Sequence, residues 1–184
     1  LPGISWFEGI YYNKEIFEEN NVELPKTFDE FLDVCTTFQN AGVTPLAAGL
    51  KSWEPLLKSS MAFVTAEYLS TDEGKGFGEK YRNGEVTMDG TWNPYIETWS
   101  QLIDNGVYTA DMTGIDHDQA LEQFATGGSA MFCSGPWDYD AIMEKNPELQ
   151  LDMMPFYGTK ESAGWLIGGP GCGFAANASS KNLD

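Results

Sequence analysis

The stretch from Thr27 to Gly42 limits the fold more tightly than any other part of the sequence. Thr27 and Glu30 have the spacing of a capping box, and Phe28, Phe31, Leu32, Cys35 and Phe38 follow at helical intervals. The pattern predicts a helix from Phe28 to Ala41, stopped by Gly42, whose apolar stripe has to be buried as core. Cys35 lies in that stripe and reads as a small core hydrophobe.

Other segments repeat the theme with strands between them. Residues 3–12 (GISWFEGIYY) are aromatic and β-branched enough for a strand, with a short helix expected at Lys14–Asn20. Val43–Ala48 reads as a buried strand, and Trp53–Leu69 as a helix with Pro55 in its first turn. Glycines 74, 76, 78 and 84 weaken regular structure in the middle of the chain. A helix is expected again over Pro94–Asn105, with Tyr95, Ile96, Trp99, Leu102 and Ile103 on one face. The remaining expectations are a helix at His117–Thr126, a strand at Ser129–Cys133, a helix from Trp137 to Lys145 and a strand at Leu149–Met153. A Gly-rich loop, Tyr157–Gly171, then leads to a final strand at Cys172–Ala176. Helices alternating with short strands give an α/β fold class. No internal repeat or linker run interrupts it, so the 184 residues read as one packed unit.

Composition removes several functions. The formal charge of −18 argues against nucleic acid and anionic membrane surfaces, both of which call for Lys and Arg. A single Arg, Arg82, and a single His, His117, make phosphate recognition and histidine-based catalysis poor fits. Cys35, Cys133 and Cys172 lack CxxC spacing, which argues against a zinc site and a disulfide framework. No cofactor is expected. GxSxG, HExxH and P-loop patterns are absent from the sequence. The run Gly168-Gly169-Pro170-Gly171 is not GxGxxG, and Pro170 removes a backbone donor, so it reads as a tight turn or as backbone approaching a ligand closely. Asp111, Asp116 and Asp118 lie loosely like a calcium loop but without EF-hand spacing, and Asp116 fits equally well as a helix N-cap.

Trp6, Trp53, Trp137 and Trp165 each adjoin a loop or chain turn and not a helical stripe. Sugars offer flat C–H faces and hydroxyl rims, which proteins hold by stacking aromatics on the faces and pairing the rims with carboxylates, amides and backbone. Glu54 beside Trp53 and Asp138 after Trp137 supply that combination. Any one of these tryptophans also fits ordinary core packing, and with 28 acidic residues a glycosidase-like carboxylate pair stays open as an alternative.

Six segments, in order, resemble family 1 extracellular solute-binding proteins, the group that contains maltose-binding protein. Gly9–Phe17 (GIYYNKEIF) resembles "xxYYNKxLF", Pro25–Phe31 (PKTFDEF) resembles "PKTWDEF", and Gly42–Leu46 (GVTPL) matches "GVTPL". Phe124–Met131 (FATGGSAM) resembles "FxxGxAAM", Ser134–Trp137 (SGPW) resembles "xGPW", and Gly171–Asn182 resembles "GxGFAIxxxSKN". The resemblance implies one lobe of a two-lobe periplasmic-binding-protein-like fold, with ligand held between the lobes. On that basis residues 1–12 would be a crossover strand, 13–170 the ligand-binding lobe and 171–184 a second crossover segment. Both ends would then be cuts in a longer protein.

By position in the motifs, Trp137 resembles the family's main sugar-stacking Trp. The Trp53–Glu54 pair falls near a helix start that touches ligand, and Trp6 at a crossover position that does so. Asp138, Trp165 and Gly169 complete the ligand-binding set implied. No catalytic or metal residues are expected. The resemblance implies a non-enzymatic, monomeric binding component of an ABC importer, taking a neutral sugar or oligosaccharide and delivering it to permease subunits. It would be a cell-surface lipoprotein or periplasmic, meeting the membrane only through a lipid anchor outside this segment. The alternative is a carbohydrate-active enzyme or a glycan-binding module without a transport role.

Overall fold

The computed structural model describes residues 2–160, 164–175, 177, 179 and 180. The long strand β1 (Pro2–Asn13) is its organising element, followed by α1 (Lys14–Glu19), α2 (Phe28–Asn40), β2 (Leu46–Ala47) and α3 (Glu54–Val64). Then come α4 (Phe77–Arg82), α5 (Asn93–Trp99), α6 (Gln101–Asp104), α7 (His117–Ala125), β3 (Met131–Ser134) and α8 (Tyr139–Lys145). Strands β4 (Leu151–Met154), β5 (Phe156–Tyr157), β6 (Gly164–Trp165) and β7 (Ile167–Gly173) close the sequence of elements.

The second half of β1 lies between β3 and β4, antiparallel to both, with Ile10 opposite Cys133 on one side and Met154 on the other. β2 adds to β3 in parallel. The first half of β1 pairs instead with β7, from Pro2 opposite Gly173 to Glu8 opposite Ile167. One strand thus passes from a two-stranded ribbon into the centre of the sheet.

Because strand side chains alternate, the sheet has two buried faces. Ile10, Leu46, Met131 and Cys133 point toward a core completed by α2, α3, α5 and α6, with Phe38 and Phe63 among its buried rings. Tyr11, Ala47 and Phe132 point the other way, against Leu121 and Phe124 of α7 and Ile142 of α8. The α/β architecture follows from covering both faces with helices.

The predicted capped helix is α2. Thr27 Oγ1 accepts from the Glu30 amide, while the Glu30 carboxylate reaches one residue further back, to the Lys26 amide. Asp116 caps α7 with a complete capping box, and no group of metal-ligating side chains occurs among the described residues. No described helix is long and apolar enough to cross a membrane.

Several expectations need correction. The strand expected at Val43–Ala48 shrinks to Leu46–Ala47, and the one at Ser129–Cys133 moves to Met131–Ser134, since pairing with β1 sets the ends. The helix predicted over Trp53–Leu69 turns π-helical at Thr65–Leu69, and that over Pro94–Asn105 is interrupted at Ser100. On the latter, Trp99 and Leu102 are buried but Ile103 is exposed. The glycine-spaced middle holds α4, with Gly78 inside it. The helix expected from Trp137 begins as a 3-10 turn, Pro136–Asp138.

The largest correction concerns the Gly-rich stretch. Over residues 167–171 it is not a loop but forms most of β7, and Phe174 beyond it is exposed. A Cβ on Gly168 would lie 2.3 Å from the Trp6 carbonyl oxygen, so the glycine permits close approach to β1. Pro170 is tolerated because β7 pairs only with β1 among the described residues. Ala176, the expected end of that strand, lies outside the described residues.

Candidate functional site

Four elements meet where β1 leaves the ribbon. Glu8 and Trp6 share one side of β1 by the two-residue alternation. Glu54 and Lys58 stand one turn apart on α3, and Trp137 and Asp138 belong to the 3-10 turn after β3. His117 opens α7. Glu8, Glu54, Lys58, His117, Trp137 and Asp138 line a depression of about 390 Å³.

Local structure fixes Trp137. The Gly135 carbonyl accepts from the Asp138 amide at 3.2 Å and from the buried Tyr11 hydroxyl at 3.1 Å, which ties the turn to the sheet. The indole lies against Gly135: a Cβ there would come 2.2 Å from Cζ3 of Trp137. With that contact in place, Trp137 is still 49% exposed. A half-exposed indole packed against Gly135 suits a flat ligand.

The charges are arranged in two groups. Lys58 Nζ lies 2.9 Å from Oε2 of Glu8 and 3.6 Å from Oε2 of Glu54. It also stands 6.0 Å from the Trp6 ring centre and 5.7 Å from that of Trp137. Burial pushes the Glu8 carboxyl above the usual carboxylate range despite Lys58. In the second group, His117 Nε2 lies 2.8 Å from Oδ2 of Asp138, which also accepts from the Ser134 hydroxyl. The bond to Asp138 raises the His117 pKa. Burial alone would raise that of Asp138, but the bonds from His117 and Ser134 outweigh it and the carboxyl sits below its ordinary value.

A second depression of about 250 Å³ is lined by Met61, Ala62, Thr65, Trp165, Leu166, Ile167 and Gly168. Positions 54, 58, 61 and 65 form one stripe along α3 and its extension, so the two depressions follow the same helix face. From Glu54 to Thr65 the helical rise corresponds to roughly 16 Å.

The profile of the bacterial extracellular solute-binding proteins matches residues 1–184, the whole chain. The chain belongs to this family. Among curated relatives of this solute-binding protein, the multiple sugar-binding protein of Streptococcus mutans is 26% identical over 184 residues, which is 100% of the chain and 44% of that relative. The chain thus spans less than half the length of that relative. A family 1 extracellular solute-binding protein from Bifidobacterium longum subsp. infantis superposes with a TM-score of 0.81 at 25% identity, over 92% of this chain and 44% of that one. A Bacillus licheniformis sugar transporter protein in complex with stachyose shares the fold, with a TM-score of 0.74 at 20% identity over 90% and 44% of the two chains. The fold is therefore the α/β lobe of the two-lobe solute-binding architecture.

Of the sequence-predicted residues, Trp137, Glu54 and Asp138 line one depression of this solute-binding lobe, and Trp6 faces the same ammonium. Gly169 sits opposite Trp6 across the ribbon; a Cβ there would be 4.0 Å from its indole nitrogen. Trp165 belongs to the second depression. Trp53 precedes α3, is 66% exposed and lines neither. Sequence reasoning missed Glu8, Lys58 and His117. A carboxylate within the aromatic strand sequence and a lysine four residues after Glu54 were the available signals.

Proposed function

We propose that this chain forms one wall of a sugar site in the substrate-binding component of an ABC importer. The observation that carries the reading is the exposed indole of Trp137 beside Glu54 in one open depression, with the Trp6 ring facing the same Lys58 ammonium. Trp137 stacks on a sugar face, and Glu54, Glu8 and Lys58 pair with its hydroxyls. The stripe along α3 toward Trp165 gives room for an oligosaccharide in place of a single ring. The name of the Streptococcus mutans relative agrees with this ligand class.

Glu8, Glu54 and Asp138 are each engaged by Lys58, His117 or Ser134. That favours binding over the carboxylate-pair hydrolysis of a carbohydrate-active enzyme. Closure of a second lobe over the sugar would create the form that permease subunits recognise, outside the membrane at the cell surface or in a periplasm. A monomer tethered by a lipid anchor outside this segment is sufficient for that task.

The test is calorimetry of the complete protein against a panel of neutral and acidic oligosaccharides, with product analysis after each titration. Binding of a neutral member without turnover is expected. Hydrolysis abolished by Glu54→Gln would replace this reading with the enzymatic one.

A further inference from the structure

The depression already contains an ammonium of its own. Lys58 Nζ stands near two indole faces, at 5.7 and 6.0 Å from their centres, and next to two carboxylates, at 2.9 and 3.6 Å. Electron-rich ring faces and carboxylates around one point are the chemistry that recognises a primary ammonium. The lysine side chain is only 22% exposed, so its charge belongs to the pocket wall and not to the solvent. Glu8 is 5% exposed, and its Oε2 has no well-angled hydrogen bond among the described residues. Without Lys58 that charge would be buried and uncompensated.

We infer that Trp6, Trp137, Glu8 and Glu54 form an ammonium cage that Lys58 fills from within, and that this makes Lys58 the residue that sets the ligand class. A sugar bearing a free amino group beside the rings would bring a second cation against Lys58 and is refused. A hydroxyl oxygen is accepted, because an ammonium has three donors and two carboxylates lie in range among the described residues. The second half of the inference rests on the sugar-binding reading; the cage itself does not.

The experiment uses the complete protein and ethylammonium chloride as probe, with sodium chloride at equal concentration as reference, read by tryptophan fluorescence. Lys58→Ala is expected to show a saturable change that neither the wild type nor Lys58→Arg shows. Lys58→Gln keeps a donor against Glu8 and serves in the same titration if the alanine variant does not fold. In calorimetry, the wild type is expected to bind a neutral oligosaccharide at least tenfold more tightly than its 2-amino counterpart, and Lys58→Gln to narrow that ratio. Equal ethylammonium titrations in the wild type and variants, or saturation in none, overturn the cage. A protein that binds no sugar yet takes up ethylammonium only without Lys58 keeps the cage and refutes the proposed function.

Discussion

Gly135→Ala tests how Trp137 is held without touching its side chain. The new Cβ would lie 2.2 Å from Cζ3 and 2.4 Å from Cη2 of Trp137, and 2.4 Å from the Phe7 carbonyl oxygen. Ordinary contact begins at 3.4 Å, so the indole has to retreat by about 1.2 Å, and the turn has to lift away from β1 to clear the Phe7 carbonyl. Gly135 has φ −121°, open to any residue, so the perturbation is one of contact and not of backbone strain. Overpacking of this kind costs about 1–3 kcal/mol of stability. The stacking face moves with the ring, and losing an aromatic contact worth about 0.5–1.5 kcal/mol weakens a sugar roughly 2- to 12-fold. The assay pairs thermal denaturation with calorimetry of the complete protein. A variant that binds sugar like the wild type, with an unchanged tryptophan emission maximum, refutes the claim that Gly135 positions the indole.

Three further outcomes are expected. Tyr11→Phe removes the hydroxyl bond to the Gly135 carbonyl, which keeps the Asp138 amide as donor; a loss of about 0.5–1.5 kcal/mol in denaturant unfolding checks it. His117→Gln removes a raised-pKa group, whose stabilisation is full below its ordinary value of 6.5 and fades as pH rises through the higher folded value. Asp138 has a lowered pKa and contributes above its ordinary 3.8, losing that contribution as pH falls through its folded value. The stability difference is therefore greatest between those limits, at about 1 kcal/mol after allowing for the half-exposed histidine, and is read as a melting-temperature difference of about 2–4 °C. Of this chain's cysteines, Cys172 alone should react with iodoacetamide in the native state, because burial raises the Cys35 thiol pKa and pushes that of Cys133 up to about 12. Mass spectrometry before and after denaturation counts the labels.

Local chemistry made the helices legible. The Phe28–Phe38 stripe and the caps at Thr27 and Asp116 act within a few residues, and the structure places those side chains as their spacing demands. Segment 167–173 was not legible, since glycine and proline carry little strand preference and only β1 holds them extended. The site divides in the same way. Trp137 and Asp138 adjoin a short turn, whereas Lys58 and Glu8 lie fifty residues apart and meet only on folding. Trp53 is next to Glu54 in sequence but does not line the same depression. Neighbouring helical positions point in different directions, so Glu54 lines the depression while Trp53, at the helix start, is exposed outside its lining.

The central claim is that sugar stacks on Trp137 of this lobe. It is tested most directly by the calorimetric affinity of the complete protein for a neutral oligosaccharide from the panel, with and without Trp137→Ala. About a tenfold or greater loss, with the melting temperature of the unliganded protein unchanged, is predicted. Equal affinity in the two proteins would contradict the account.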